Sequence, residues 1–152
     1  MEALTESFIF YPAERFDIVG KQLLKANRKM YIVDLGLRNH ILPRKNYDPG
    51  FFLENLVYFE LLHRGYKVTI GKVGNTEVDF VAEKQGAYQY FQVTADMTAK
   101  ETFEREIRPL ENIRDNYEKM ILTMDRTKDF EGIVATIAYY IKGYWPLILC
   151  FI

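Results

Sequence analysis

Apolar positions along this chain fall into short alternating runs bounded by turn formers, with two longer helical stretches set among them. Residues 66–73, 76–83 and 87–94 each read as a strand. Gly74-Asn75 and Gln85-Gly86 separate them as tight hairpin turns, so the three strands are expected to run antiparallel. A helix is predicted before them over 51–64, with Phe52, Leu56, Phe59 and Leu62 near one stripe and Gly65 as its stop. After them Thr98-x-x-Glu101 reads as a capping box. The helix it opens is expected to run to about 116, with Phe103, Ile107, Leu110 and Ile113 on one face and a kink near Pro109. Apolar runs at 119–124 and 133–141 read as further strands. The strand at 119–124 follows a helical crossover, so it can lie parallel to a neighbour in the same sheet. The pattern is that of an α/β fold: a mixed sheet flanked by helices, in the order helix, three strands, helix, strand.

Residues 1–45 carry a pattern of their own. A strand-like run at 7–11 closes at Pro12, residues 15–19 alternate, Gly20-Lys21 makes a turn, 30–33 reads as a strand and 34–42 as a short helical piece. The expected division is a small N-terminal α/β appendage at 1–45, a core at 46–132 and an apolar C-terminal strand or tail at 133–152. That last segment, strongly apolar from Tyr139 to Ile152, is expected either to pack as an extra strand or to cover a partner in a homodimer.

Composition narrows this picture. The 152 residues suit one domain with a small appendage, and 49 % hydrophobic with 27 % charged residues is ordinary for a soluble globular chain. Eleven Tyr and eleven Phe favour β-structure and aromatic packing. A net charge of −1 lacks the basic excess of a dedicated DNA-binding module, so any DNA affinity is expected to be weak and to rest on local patches. Cys150 is the only cysteine, which excludes an intrachain disulfide and a thiolate zinc site and suits a reducing cytoplasm. The amino terminus shows no signal-peptide pattern, and the longest apolar stretch, 145–152, is too short to span a bilayer. A soluble, cytoplasmic protein without a membrane partner is the expectation.

The second hairpin carries the candidate chemistry. With Gln85-Gly86 as a two-residue turn, Asp79 falls opposite Gln92 and Glu77 opposite Thr94. Side chains alternate along a strand, so Glu77, Asp79, Gln92 and Thr94 are expected on one face, and Val78, Phe80, Ala82, Phe91 and Val93 on the other. Glu54, expected in the first turn of the preceding helix, can reach the same place if that helix packs on the sheet. Carboxylates grouped with an amide make a hard, oxygen-rich site suited to Mg²⁺ or Mn²⁺. The bland alternative is a polar sheet face that meets water.

Several separated motifs then match a known pattern. These are Leu53 to Leu61, Arg64-Gly65-Tyr66 and Gly71 to Val81, with Tyr31 to Asn39 upstream. Phe91-Gln92-Val93-Thr94, Asp115-Asn116-Tyr117 and Thr123-Met124-Asp125 follow. Over about residues 1–132 the chain resembles the uncharacterised C-terminal domain that follows the ATPase domain in a family of prokaryotic AAA-type ATPases. That domain is similar to the PD-(D/E)XK nucleases, of restriction-endonuclease-like fold. The resemblance implies Glu54 as the helix acid, Asp79 as the metal-binding acid and Gln92 as the third metal ligand. At Thr94 the superfamily has a lysine that orients the attacking water and stabilises phosphate charge. A threonine hydroxyl supplies no positive charge, and Lys72 or Lys100 would have to replace it from a neighbouring element. The implied function is a nuclease-like domain that has lost catalysis and acts in DNA binding or assembly beside an AAA ATPase domain. The alternatives are an active Mg²⁺-dependent DNA nuclease and a purely structural, oligomerising domain.

Other features are weaker. Gly65-x₅-Gly71-Lys72-Val73 misses a phosphate-binding P-loop by one residue of spacing and by the hydroxyl that would hold Mg²⁺. His40 and His63 have no partner spacing for zinc. Lys21, Lys25, Arg28 and Lys29 form a small basic cluster, and Lys100, Arg105 and Arg108 are candidates for the rim of the site. The abrupt start at Met1 is expected of a piece of a longer ATPase.

Overall fold

Seven strands and three helices are formed by the residues that the computed structural model describes, 6–41, 48–124 and 134–136. The strands are β1 (Phe10–Asp17), β2 (Gln22–Ile32), β3 (Lys67–Val73), β4 (Thr76–Lys84), β5 (Ala87–Thr94), β6 (Glu118–Thr123) and β7 (Val134–Thr136). The helices are α1 (Leu35–Ile41), α2 (Pro49–His63) and α3 (Lys100–Glu111). All seven strands belong to one mixed, open sheet in the order β2-β1-β3-β4-β5-β6-β7. Gln85 and Gly86 both take left-handed φ values, 54° and 80°, as a tight hairpin between β4 and β5 requires. β6 then lies parallel to β5, and β7 parallel to β6. The α/β character and mixed sheet are as expected. Of the segment 133–152, the strand at 134–136 is described, and the rest lies outside the described residues.

The N-terminal segment differs from expectation. Instead of standing apart, the β1–β2 hairpin extends the main sheet, with β1 parallel to β3 through Arg15↔Ile70, Phe16↔Gly71 and Asp17↔Lys72. Pro12 does not end the strand. It pairs with Met30 of β2 and lies outside the stretch of β1 that meets β3, so its missing N–H breaks no bond there.

Two cores sandwich the sheet. Beneath α2 lie Tyr31, Leu53, Val57, Tyr58, Leu61, Ile70, Phe80 and Phe91. On the opposite side Phe16, Ile18, Val78, Val81, Tyr90, Leu110, Ile113 and Ile121 pack together, with Leu110 supplied by α3. Asp48 caps α2 by accepting from the Gly50 and Phe51 amides at 2.9 and 3.4 Å, with Pro49 in the first turn. The face that α2 buries is not the predicted one. Leu53, Val57, Tyr58 and Leu61 turn inward, while Phe52 and Leu56 stay more than a third exposed. The helix is apolar nearly all round, so periodicity cannot select its inner side. The capping box also fails to form. Thr98 donates its amide and hydroxyl to Asp96 Oδ1, both at 2.7 Å, and α3 starts after Ala99 without a side-chain cap. Among the described residues no helix is long and apolar enough to cross a membrane.

One irregularity positions the chemistry. Gly71 pairs with Val78 and Thr69 with Val81, so Ile70 alone faces both Asp79 and Phe80. This β-bulge inverts the alternation of β4. Val78, expected on the same face as Phe80, joins the opposite core.

Candidate acidic site at the bulge of the fourth strand

Asp79 stands in the bulge, where the β4–β5 ladder has opened beyond Phe80↔Phe91. Its carboxylate takes the place of a backbone acceptor: Oδ2 receives the Val93 amide at 2.8 Å. Only 9 % of Asp79 is exposed. Burial, then the charge of Glu54, push its carboxyl up to about 7; the Val93 amide and Lys29 oppose this, and Glu106 adds to it.

Glu54 reaches this region from α2, in the helix's second turn because α2 begins at Pro49. Its Oε2 lies 2.5 Å from Nζ of Lys29 on β2. The pair is partly open, with side-chain exposures of 26 % for Lys29 and 18 % for Glu54. Two residues further along β2, Tyr31 is fully buried and stacks on Tyr58 of α2. Its hydroxyl has no hydrogen-bond partner among the described residues. Burial holds the hydroxyl's pKa well above the usual tyrosine value, and the charges of Glu54 and Asp79 add to the rise. Asn55 fixes the strand to the helix. It accepts the Ile32 amide at 2.9 Å and donates Nδ2 to the Ile32 carbonyl at 2.6 Å.

The remaining sequence candidates are distributed differently from expectation. Gln92 alternates with Phe91 and Val93 and so faces α3. Its Oε1 accepts the Asp79 amide at 3.4 Å, and its Nε2 donates to Glu106 at 3.1 Å. Glu106 also binds Arg105, at 2.9 Å from Nη2. Thr94 lies on the same side as Gln92 and donates its hydroxyl to the Asp96 carbonyl at 3.1 Å. Glu77 pairs with Arg15. The structure thus brings Glu54 and Asp79 together, touches Asp79 with Gln92 through the main chain, and leaves Thr94 aside. Neither substitute lysine is there. Lys72 is an exposed residue opposite Glu77, and Lys100 is 88 % exposed beside Glu104. Lys29 and Glu106 were missed as members of the site. The signal for Lys29 was its spacing, since it stands two residues from Tyr31 on the strand and so shares that residue's inward face.

The donor chemistry, two neighbouring carboxylates of which one is buried, suits a hard divalent cation. Among the described residues, no group of three or more His, Cys, Asp or Glu side chains converges closely enough to hold a metal ion. The two acids that come near one another here are Glu54 and Asp79, with Gln92 Oε1 on the Asp79 main-chain amide.

No family model and no solved structure matches the chain. A protein of Haemophilus influenzae (strain ATCC 51907 / DSM 11121 / KW20 / Rd), described as an uncharacterized protein, is 42 % identical to it over 123 residues. The match takes in 81 % of this chain and 30 % of that protein, so the chain spans less than a third of the relative's length.

Proposed function

We propose that this chain is a nuclease-like domain of a larger protein and binds Mg²⁺ or Mn²⁺ at Glu54 and Asp79. On this reading it engages the phosphate backbone of nucleic acid, next to an AAA-type ATPase domain. The observation that carries the reading is the buried Asp79 carboxylate, held in a strand bulge beside Glu54. Two acids close enough to oppose each other's ionisation are stabilised by a cation between them. The length of the Haemophilus relative supports a place within a larger protein. Gln92 orients Asp79 through its main-chain amide. Mn²⁺ binding followed by electron paramagnetic resonance tests the reading. A site of micromolar to millimolar affinity that Asp79→Asn abolishes is the expected result; no bound Mn²⁺ at millimolar concentration would overturn it.

A second reading, a coupling domain that acts through assembly, has its own support. Val33, Leu37, Phe52 and Leu56 are apolar and exposed on and around α1 and α2. Exposed apolar patches on a folded surface are the usual mark of a docking face. Co-purification with a full-length ATPase homologue, lost in Leu56→Asp, is the outcome that would favour it.

A further inference from the structure

The turn between β1 and β2 carries a cation into a cup of tyrosine rings. Nζ of Lys21, the last residue of that turn, lies 4.7, 5.8 and 5.4 Å from the ring centres of Tyr88, Tyr90 and Tyr117. It donates to Tyr90 Oη at 3.0 Å and to Asp115 Oδ2 at 3.1 Å. Tyr90 packs in the core on the α3 side of the sheet, whereas Glu54 comes from α2 on the other side, so this cluster is separate from the acidic site. We propose that Tyr88, Tyr90, Tyr117 and Asp115 form a binding site for a small N-methylated ammonium compound, with Lys21 as the internal cation that the ligand displaces.

Spacing is the first support. A ring face attracts a cation through its negative quadrupole, and methylated ammonium heads are the ligands that such cups recognise. A methyl carbon lies about 1.5 Å from its nitrogen and touches a ring at about 3.5–4 Å, which sets that nitrogen roughly 5 Å from the ring. A bare ammonium in contact would stand at the shorter distance, about 3.5–4 Å. The three separations in the cup thus leave room for methyl groups that Lys21 does not have.

The cup is also built without help from Lys21. Tyr90 Oη donates to Asp115 Oδ2 at 2.6 Å, and the rings of Tyr88 and Tyr117 meet edge to face at 5.4 Å. Lys119 donates to the carbonyls of Asp115 and Tyr117 at 2.6 and 3.3 Å, which fixes the loop that carries both. It takes Oδ1 of Asp115 at 3.6 Å and leaves Oδ2 to face the cup. Lys21, by contrast, can leave. Its side chain is 40 % exposed, and its φ of 50° is a left-handed value that disfavours residues with a Cβ. A cavity of about 200 Å³ opens beside it, lined by Phe16, Leu23, Thr69 and Tyr88. That volume suits a small compound. Lys67 and Glu83, which also line it, pair with one another at 4.0 Å, so Asp115 supplies the negative charge for the ligand.

Titration of choline into the purified chain, followed by nuclear magnetic resonance, tests this. The wild type should bind choline, and should bind its uncharged isostere, in which carbon replaces the nitrogen, at least about tenfold more weakly. Ethanolamine, which has the charge but no methyl groups, should also bind more weakly than choline. Lys21→Gly suits the left-handed turn and removes the competitor, so its choline affinity should rise at least about tenfold. Tyr117→Ala, at a residue 38 % exposed, should lower that affinity by about tenfold. Absence of choline binding by the wild type at high millimolar concentration would make Lys21 a fixed structural tie and overturn the proposal. Equal binding of the uncharged isostere would reduce the cup to an apolar cavity, and stronger binding of ethanolamine would remove the preference for methyl groups; either result overturns it. So would an affinity in Lys21→Gly no higher than in the wild type.

Discussion

The rings of Tyr31 and Tyr58 stack with centroids 4.1 Å apart and planes 14° from parallel. That contact keeps step with the Lys29–Glu54 pair. Two residues along a strand advance about 6.7 Å, and four along a helix about 6 Å. Lys29 with Tyr31 on β2 thus matches Glu54 with Tyr58 on α2, and one packing register serves both core and site. Tyr58→Ala should destabilise the fold by about 3–5 kcal/mol. Tyr31→Phe is the sharper probe. It keeps the stack and removes a buried hydroxyl that has no protein partner, so in metal-free buffer it should be neutral or stabilising by about 1 kcal/mol. With Mn²⁺ present that advantage should shrink or reverse. Thermal melts of both proteins, with and without the ion, measure the difference.

Asp79 gives stability a pH dependence of definite sign. Its carboxyl is pushed up to about 7, from 3.8 in the free side chain, so the folded state binds the proton more tightly than the unfolded chain. Below about pH 4 both states are protonated and its charge costs nothing. Between about pH 4 and 7 stability should fall as pH rises, and above 7 the full cost is present. That rise in pKa corresponds to at most about 4 kcal/mol. Asp79→Asn should therefore be more stable than wild type at pH 8, with the gap closing by pH 4. Saturating Mn²⁺ should remove the same slope from the wild type. Urea unfolding across this range checks both, and a wild-type stability that rises from pH 5 to 8 would show the carboxylate to be better satisfied than its burial implies.

Asn55 controls the edge strand. It is 1 % exposed, and both of its polar atoms bind the main chain of Ile32. Asn55→Ala leaves that amide and carbonyl buried beside a small void. The cost should be about 2–4 kcal/mol, from two lost bonds and unsatisfied main-chain groups. Hydrogen exchange should accelerate first in β2, around residues 29–32, ahead of β4 and β5. Uniform acceleration across the sheet would mean that Asn55 supports the whole fold and not this strand.

Strand order in the centre of the molecule was legible because turns set it: Gln85-Gly86 fixes the β4–β5 register without help from distant residues. The bulge was not legible. Hairpin arithmetic between β4 and β5 is correct as far as Phe80↔Phe91, but it is silent on β3, and β3 is where Ile70 faces two residues at once. That is why the single-face grouping of Glu77, Asp79, Gln92 and Thr94 did not hold. On α2 the difficulty was of another kind. A helix apolar nearly all round offers little contrast, so Phe52 and Leu56 looked as eligible for the core as Leu53 and Val57. Lys29 was hidden by company. Placed among Lys21, Lys25 and Arg28 it reads as surface charge, and only the strand running through Met30 and Tyr31 reveals that it shares a face with a core residue. Glu106 was obscured in a helix whose apolar stripe drew attention to Phe103 and Ile107.

Gly71 ties the bulge to the packing of the sheet. A Cβ at this position would meet Val81 Cγ2 at 2.8 Å, and Ile18 Cδ1 and Val78 Cβ at 2.9 Å. Val78 and Val81 are the residues that bracket the bulge, and Ile18 follows β1 on the neighbouring side. Glycine is therefore needed here for close approach, which accounts for the Gly71-Lys72-Val73 run without a nucleotide. In Gly71→Ala the three neighbours must move, at a cost of about 1–3 kcal/mol by analogy with overpacked cores. Movement of Val78 and Val81 changes the β4 segment that presents Asp79, so Mn²⁺ affinity should fall along with the melting temperature. Asp79→Asn, by contrast, should lose Mn²⁺ while melting no lower at pH 8. Measuring both quantities in both variants separates the two roles: a Gly71→Ala chain that melts early but binds Mn²⁺ as wild type does would show that the site does not depend on the shape of the bulge.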